Sequence, residues 1–234
     1  MLRFYYNLAP NPMKVALLLE ELGLPYEAIP VDTRKGEQHD PAFLAVNPNA
    51  KLPAIVDGPA TIFDSNAILL YLAEKTGRFL PDGGASARGQ MLSWLMFVAS
   101  GVGPFSGQAI HFRHFAPQAA PGDHAYALRR HDFEARRHWR IIDDRLARQR
   151  YLLGDGYGIV DMAVWGWGGR VPFIFGGDRG YSEFPHLGRL MAEIDARPAA
   201  QRVAALRERH RFKAELDETA LRSLYPQIFA PPPA

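Results

Sequence analysis

Residues 4–14, FYYNLAPNPMK, are the part of the sequence best placed to carry a reaction. A short apolar run leads into a proline-containing turn and then into a predicted helix, and active sites are often built at such junctions. The stretch contains no Ser, Thr or Cys. Something other than a side-chain nucleophile must therefore supply any reactive group here.

The absence of cysteine extends to the whole 234-residue chain. The chain itself can form no disulfide, no thiolate metal site and no cysteine nucleophile. Any thiol chemistry at the 4–14 junction needs a thiol that arrives with a ligand.

Charge is unevenly distributed, although 47% of the residues are apolar and the formal net charge is only +2. Residues 1–76 carry six Lys and Arg against nine Asp and Glu, and the remainder carries 21 against 16. Many of the arginines lie in residues 127–150, interleaved with acidic residues. A solvated helix face explains that pattern better than a nucleic-acid surface, so we expect no nucleic-acid partner.

The N-terminus lacks the charged and then apolar pattern of a signal peptide. No apolar run approaches the roughly 18 residues that a membrane span requires. We therefore expect a soluble, cytoplasmic protein without a membrane partner.

Strand and helix signals alternate over the first 76 residues. Apolar residues at positions 15, 18, 19 and 22 form a helical stripe that ends at Gly23. DSNAILLYLAEKTG (64–77) predicts a second helix, with Ser65 near its start and Gly77 after its last turn. Strands are predicted at 2–6, 26–31, 52–57 and 60–63.

Residues 77–88, GRFLPDGGASAR, have the composition of a linker between domains. After them, helices are predicted at 89–100, 122–149, 159–175 and 186–196. The sequence thus predicts an α/β domain at 1–78, an all-helical domain at 88–210 and a C-terminal tail at 211–234. Prolines in the last ten residues, 225–234, predict an extended arm or disorder there.

Two segments carry a resemblance to a known family: NPNAKLPAIVD (47–57) and DSNAILLYLAEKTG. Together with the helical second half they resemble the cytosolic glutathione transferases. The resemblance covers nearly the whole chain. It implies a homodimer whose N-terminal domain is thioredoxin-like, with a cis-proline before the third strand and an acidic residue followed by Ser at the start of the third helix.

Two further segments, at 35–57 and 107–118, are more narrowly similar to the bacterial Nu class, relatives of the yeast prion regulator. Glutathione-dependent disulfide reduction is the hallmark activity of that class. The resemblance therefore implies glutathione as co-substrate.

The matching positions suit the parts of glutathione. A cis bond between Leu52 and Pro53 would turn the Leu52 N–H and C=O outward, to pair with the backbone of a cysteinyl peptide. Asp64 and Ser65 lie where a strand meets a helix. Free N–H groups and the Ser65 hydroxyl there suit the γ-glutamyl carboxylate, and Asp64 suits its ammonium.

Gln38 and Lys51 are predicted partners for the glycyl carboxylate and its neighbouring amides, with Lys51 the stronger candidate. Each residue has a simpler explanation by itself: Ser65 as an N-cap, Asp64 as a partner of the helix dipole, Lys51 as a surface lysine. Their joint spacing within one strand and helix pattern favours the binding site.

The sequence offers several candidates for the group that activates the thiol. Ser-type relatives use a hydroxyl in the first turn of the first helix, and the matching position here is Pro10. Nu-class relatives have Thr where this chain has Ala9. The remaining donors are the side-chain NH₂ of Asn11 and backbone N–H groups at the start of the helix after Pro12.

We predict Asn11 as the catalytic residue. A role as N-cap, ahead of Pro12 at the first helical position, explains Asn11 equally well. Tyr5 and Tyr6 are alternatives, because Tyr-type transferases use a phenol at the end of this strand.

Four positions of the second half also match the family. Arg130 matches an arginine that Nu-class relatives direct at glutathione across the dimer interface, although a surface role is its default interpretation. His111 and His114 lack a third metal ligand, so we predict no metal and place them in the wall of the second-substrate pocket. Asp161 matches a helix-capping residue whose Ser or Thr partner is Gly158 here, so one arm of the capping box is lost.

The predicted function is glutathione-dependent disulfide-bond reduction, with weaker conjugation of glutathione to electrophiles. In such an exchange the protein needs no cysteine of its own. Ala9 keeps open a non-catalytic glutathione-binding or ligand-binding protein, and a specialised lyase or dehalogenase remains a third alternative.

Overall fold

A computed structural model describes residues 1–120, 122–176 and 179–229. Part of the predicted extended or disordered arm, 230–234, lies outside the described residues.

The N-terminal domain is a four-stranded mixed sheet with helices packed on it. Strands β1 (Leu2–Tyr6), β2 (Tyr26–Pro30), β3 (Ala54–Asp57) and β4 (Ala60–Phe63) lie in the order β2-β1-β3-β4, with only the β1–β2 pair parallel. The helices of this domain are α1 (Pro10–Leu22), α2 (Pro41–Leu44) and α3 (Ser65–Thr76).

The rest of the described chain consists of helices and their connections, with one isolated β-bridge between Tyr151 and Gly154. The first group contains α4 (Gly84–Phe97), α5 (Gly103–Ile110), α6 (Ala116–Ala119) and α7 (Ala125–Leu146), with π-helical turns at Val98–Val102 and His111–Phe115. The second contains α8 (Ile159–Gly168), α9 (Val171–Phe175), α10 (Arg179–Glu183), α11 (Pro185–Asp195), α12 (Pro198–Arg209) and α13 (Glu218–Leu224).

The predicted strands and the first and last helices of the N-terminal domain are confirmed, within one or two residues at most ends. Left-handed glycines end α1 and α3, at Gly23 and Gly77, as the sequence predicted. The segment 159–175 is not one helix, because it breaks after Gly168 into α8 and α9. Helix α4 begins at residue 84 inside the predicted linker, and residues 226–228 form a 3₁₀ turn where an extended or disordered arm was predicted.

Contacts between α1, α8 and α12 join the two halves of the chain. Gly166 of α8 is required for this approach, because a Cβ there would lie 2.7 Å from the Pro10 carbonyl oxygen and 2.9 Å from Lys14 Cβ. The start of α1 is therefore held directly against the helical half.

The chain after α12 folds back onto the N-terminal domain. The Tyr6 hydroxyl bonds Nδ1 of His210 at 2.7 Å, and the Lys213 N–H donates to Asp32 Oδ2 at 2.7 Å. Residues 210–229, which we call the C-terminal segment, thereby contact the end of β1 and the loop that follows β2.

Candidate glutathione site

The loop before β3 presents a free stretch of backbone. The Leu52–Pro53 bond is cis, as predicted, and within the described chain no other main-chain group bonds the Leu52 N–H or C=O. Buried Asn47 shapes this loop: its amide donates to the Lys51 carbonyl at 2.6 Å, and its Oδ1 accepts from the Asn49 N–H at 3.0 Å. The exposed Leu52 groups can pair with an extended peptide in the manner of a β-strand.

The start of α3 holds an aspartate and a serine with separate functions. Asp64 is the N-cap, and its Oδ1 accepts from the N–H groups of Asn66 at 2.8 Å and Ala67 at 3.1 Å. These two N–H groups are thus engaged, and of the N–H groups predicted to be free at the helix start, that of Ser65 has no partner among the described residues. The alternative of Ser65 as N-cap is also wrong, because Ser65 is the first helical residue. Its hydroxyl has no partner among the described residues and remains available.

A buried lysine lies behind this pair. Lys14 is 1% exposed, and its Nζ donates to Oδ1 of Asn66 at 2.7 Å. Burial lowers the pKa of the Lys14 ammonium to about 7, although the negative charge of Asp64 acts in the opposite direction.

Asn11 is fixed by a residue from the helical half. Its Oδ1 accepts a hydrogen bond from Trp167 Nε1 at 3.0 Å, which leaves the NH₂ group without a partner among the described residues. The N-cap of α1 is Ala9 and the first helical residue is Pro10, so the alternative of Asn11 as N-cap is wrong. The amide of Asn11 is therefore free to donate to a ligand atom.

Backbone donors at the start of α1 are fewer than the sequence suggested. Pro10 and Pro12 have no N–H, the Ala9 N–H donates to Asn7 Oδ1 at 3.0 Å, and the Met13 N–H donates to the Ala9 carbonyl at 3.2 Å. Only the Asn11 N–H in this turn has no described partner.

The two tyrosines of β1 point to opposite faces of the sheet. Tyr6 is fully buried and its hydroxyl is held by His210, while burial raises the pKa of its phenol. Tyr5 packs on the other face, with its ring 5.7 Å from that of Phe43. Neither residue borders the cavities described next.

Two cavities bring together six of the eight predicted site residues, and Pro53 and Arg130 border neither. The inner cavity, of about 210 Å³, is bordered by Asn11, Lys14, Asp64, Ser65, Asn66 and Trp167. The outer cavity, of about 430 Å³, is bordered by Asn7, Ala9, Gln38, Lys51, Leu52 and Ser223. The start of α1 lies on both, through Asn11 and Ala9.

Gln38 and Lys51 differ in their freedom within the outer cavity. Gln38 is buried, and its NH₂ donates to the Ser223 hydroxyl at 2.9 Å while its Oε1 is buried without a partner. Ser223 in turn donates to the Thr33 carbonyl at 2.7 Å. Lys51 is exposed and makes no ion pair with any described residue.

Three residues of the helical half lie away from the two cavities. Arg130 is on α7 and its guanidinium donates to Glu134 at 2.8 Å. His114 Nε2 lies 2.9 Å from the Phe173 carbonyl oxygen, and the His111 ring contacts that of Tyr225 at 4.9 Å. Across residues 1–120, 122–176 and 179–229, no three His, Cys, Asp or Glu side chains converge as metal ligands.

Asp161 caps α8 from inside the protein. Its carboxylate is buried and accepts from the N–H groups of Leu152 at 2.8 Å and Gly158 at 2.9 Å. Burial raises the pKa of the Asp161 carboxyl to about 7. Gly158 has no side chain to complete the capping box, as the sequence predicted.

Comparison with known proteins decides the family. The glutathione S-transferase N-terminal domain model matches residues 2–74, and the C-terminal domain model matches residues 125–228. Disulfide-bond oxidoreductase YfcG of Escherichia coli K12 is 43% identical over 174 residues, which cover 71% of this chain and 79% of YfcG. The chain belongs to the glutathione S-transferase family. The family and fold predicted from sequence are confirmed.

Two other similar proteins extend the comparison. Disulfide-bond oxidoreductase YghU of Escherichia coli K12 is 38% identical over 218 residues, which cover 86% of this chain and 73% of YghU. A glutathione transferase from Burkholderia graminis, solved with two glutathione molecules bound per subunit, superposes with a TM-score of 0.82 at 36% identity. That match covers 89% of each chain.

Sequence reasoning missed three side chains that shape the transferase site. Asn47 lies in residues 47–57 and Lys14 in residues 4–14, but a single sequence gives no sign that either side chain is buried and hydrogen-bonded. Ser223 lies in the predicted C-terminal tail, 211–234, and no local pattern indicates that it reaches Gln38.

No helix in the described ranges has the length and apolar character to cross a membrane.

Proposed function

We propose that this transferase is a glutathione-dependent disulfide-bond reductase. The observation that carries the proposal is that the free Leu52 backbone, the Asn11 amide and the Asp64–Ser65 pair border two cavities, both of which lie at the start of α1. The names of YfcG and YghU as disulfide-bond oxidoreductases support the same chemistry.

Glutathione is proposed to lie along both cavities. Its γ-glutamyl end occupies the inner cavity, with the carboxylate on the Ser65 hydroxyl and the ammonium on the unengaged Oδ2 of Asp64. The cysteinyl backbone pairs with Leu52, and the glycyl carboxylate faces Lys51 in the outer cavity. This orientation directs the thiol at Asn11.

The reaction proposed is thiol–disulfide exchange. The thiolate of one glutathione attacks a sulfur of the substrate disulfide, which forms a mixed disulfide and releases one substrate thiolate. A second glutathione thiolate attacks the glutathione sulfur of that mixed disulfide, so a new S–S bond joins the two glutathione halves and the second substrate sulfur departs as a thiolate. Each released thiolate takes a proton from water. One disulfide is reduced while two glutathione thiols become glutathione disulfide. No cysteine of the protein takes part.

Asn11 is proposed to stabilise the attacking thiolate. A free thiol with a pKa of about 8.5 is only a few per cent ionised at neutral pH. A decrease of two pKa units requires about 2.7 kcal/mol, which two charge-assisted hydrogen bonds and a helix N-terminus can supply. The side-chain NH₂ and the main-chain N–H of Asn11 are the two available donors.

The deciding experiment is a pH titration of the thiolate absorbance of bound glutathione. We expect the pKa of the bound thiol to be clearly lower than that of free glutathione. The matching activity is reduction of 2-hydroxyethyl disulfide by glutathione, measured by coupling to glutathione reductase. A bound thiol that titrates like free glutathione, with no turnover above the uncatalysed rate, would contradict the proposal.

The proposal includes a homodimer in the cytoplasm, where disulfide reduction has a supply of reduced glutathione. Arg130, exposed apart from its pair with Glu134, is proposed to face the glutathione of the partner subunit. Conjugation to small electrophiles is proposed as a weaker activity, with His111 and His114 in the wall of the second-substrate pocket. A lyase or dehalogenase activity remains an alternative for that pocket.

A non-catalytic glutathione-binding protein is the second candidate. One observation favours it: Ala9 provides no hydroxyl, and its N–H is already bonded to Asn7. The variant Ala9→Thr restores the hydroxyl of Nu-class relatives. We expect disulfide reductase turnover to stay level or increase modestly; a large increase from near zero would favour the binding protein.

A further inference from the structure

The interior of the transferase contains a lysine that the proposed reaction does not use. Lys14 is 1% exposed, and its one hydrogen-bond partner among the described residues is the neutral amide of Asn66. Asn66 is itself fixed, because its Nδ2 donates to the Leu95 carbonyl at 3.3 Å and its N–H donates to Asp64. A buried ammonium without a bonded carboxylate is unfavourable, so an anion bound near Lys14 would stabilise the charged form of the lysine.

The surroundings of Lys14 leave one direction for that anion. Asp64, the N-cap of α3, is the charged group whose electrostatic attraction stabilises the Lys14 ammonium. Apart from Ser65 and Asn66, the remaining residues that border the inner cavity are also uncharged: Asn11, Val98, Ala99, Gly103, Pro104 and Trp167. The cavity itself, with the unpartnered Ser65 hydroxyl, is the space in which a carboxylate can lie.

We propose that Lys14 is a positioning residue of the γ-glutamyl subsite and takes up a proton from solvent when the carboxylate of glutathione enters the inner cavity. This inference rests on the proposed function, since it requires glutathione to occupy the cavity in the stated orientation. The protonated lysine then holds Asn66 and the start of α3 in place under the carboxylate.

The environment of Lys14 determines whether ligand binding is accompanied by uptake or release of a proton. With a pKa of about 7 in the free protein, Lys14 is mostly neutral at pH 8. The carboxylate of glutathione favours the charged form of Lys14, whereas the glutathione ammonium, placed on Asp64 Oδ2, opposes it. The proposal therefore requires the carboxylate to lie nearer to Lys14 Nζ than the ammonium does. Binding then raises the pKa of Lys14 and is accompanied by proton uptake. Affinity is therefore highest below pH 7 and decreases as the pH rises from 7 toward the pKa of the complex.

The experiment is calorimetric titration of the full chain with S-methylglutathione, which has no ionisable thiol. At pH 8, in two buffers of different ionisation enthalpy, we expect uptake of about half a proton or more per site. The dissociation constant should increase about fivefold between pH 7 and pH 8. If Lys14 had only a structural role, binding would show neither this proton uptake nor this change in the dissociation constant with pH.

Two variants test whether Lys14 is the group that takes up the proton. Lys14→Gln should abolish proton uptake and remove the pH dependence of binding. Asn66→Asp gives the lysine a carboxylate partner in the free protein, so the ammonium is already charged and uptake should also vanish although Lys14 remains. The second variant and the natural protein decide the question if Lys14→Gln does not fold.

The outcomes separate this inference from the proposed function. Binding of S-methylglutathione without proton uptake, or with unchanged uptake in Lys14→Gln, would overturn the role of Lys14 alone. Failure of the natural protein to bind S-methylglutathione would overturn the proposed function and this inference with it.

Discussion

The two cavities of the site are built in different ways. The inner cavity is a network of short contacts between α1 and α3, in which Asp64, Asn66 and Lys14 hold one another. The outer cavity joins a flexible exposed lysine, Lys51, to a serine that lies about 170 residues later in the chain. Groups that are held by hydrogen bonds are preorganised for a ligand, whereas unpaired exposed side chains must lose conformational freedom on binding. We therefore expect most of the affinity for glutathione at the inner cavity.

Asp64→Asn gives the largest expected change. Asn keeps the N-cap of α3, so the melting temperature should change little, but the partner of the glutathione ammonium loses its charge. We expect glutathione affinity to fall by about 2 kcal/mol, roughly thirtyfold, in a calorimetric titration. Asp64→Ala is the matched control, because it removes the cap as well and should lower stability by about 1 kcal/mol.

Asn11→Ala tests the turn that joins the cavities. Loss of a charge-assisted hydrogen bond should raise the pKa of the bound thiol and decrease reductase turnover about tenfold or more. Tyr6→Phe is the control, because the Tyr6 hydroxyl bonds His210 away from both cavities. The reverse result, with turnover abolished in Tyr6→Phe and only stability lost in Asn11→Ala, would make this a Tyr-type enzyme.

Ser65→Ala removes the free hydroxyl of the inner cavity. Because Ser65 is not the N-cap, we expect an affinity loss of about 1 to 2 kcal/mol with an unchanged melting temperature. Unchanged affinity together with a lower melting temperature would assign Ser65 a structural role only.

Ser223→Ala makes the corresponding change in the outer cavity and should have the smallest effect on binding. It releases Gln38 from its bond to the C-terminal segment, so we expect glutathione affinity within about threefold of the natural protein and a stability loss of about 1 kcal/mol. A loss of affinity as large as that of Ser65→Ala would show that both cavities contribute equally, against the comparison above.

Much of this fold could be predicted from sequence, wherever the hydrophobic pattern of a single element matches the face that packs against the core. The stripe at 15, 18, 19 and 22, the glycines after α1 and α3, and the alternation in β1 each reflect one element facing one core. Helix ends in the second half were harder to predict, because residues such as Gly84 and Gly169 begin or break a helix only in the context of their neighbours.

The sequence by itself determined which chemistry is open to this protein. A chain without cysteine can take part in thiol chemistry only through a thiol brought by a ligand, and Pro53 with the Asp64–Ser65 pair marks the segments that we propose bind that ligand. Tertiary structure alone decided what each group can donate: Trp167 from α8 fixes the Asn11 amide, Asn66 holds Lys14, and Ser223 binds Gln38. Residue type and local spacing establish the kinds of donor and acceptor available. Which of them remain unpaired depends on contacts between residues 52 to 185 positions apart, and these form only when the tertiary fold brings distant segments together.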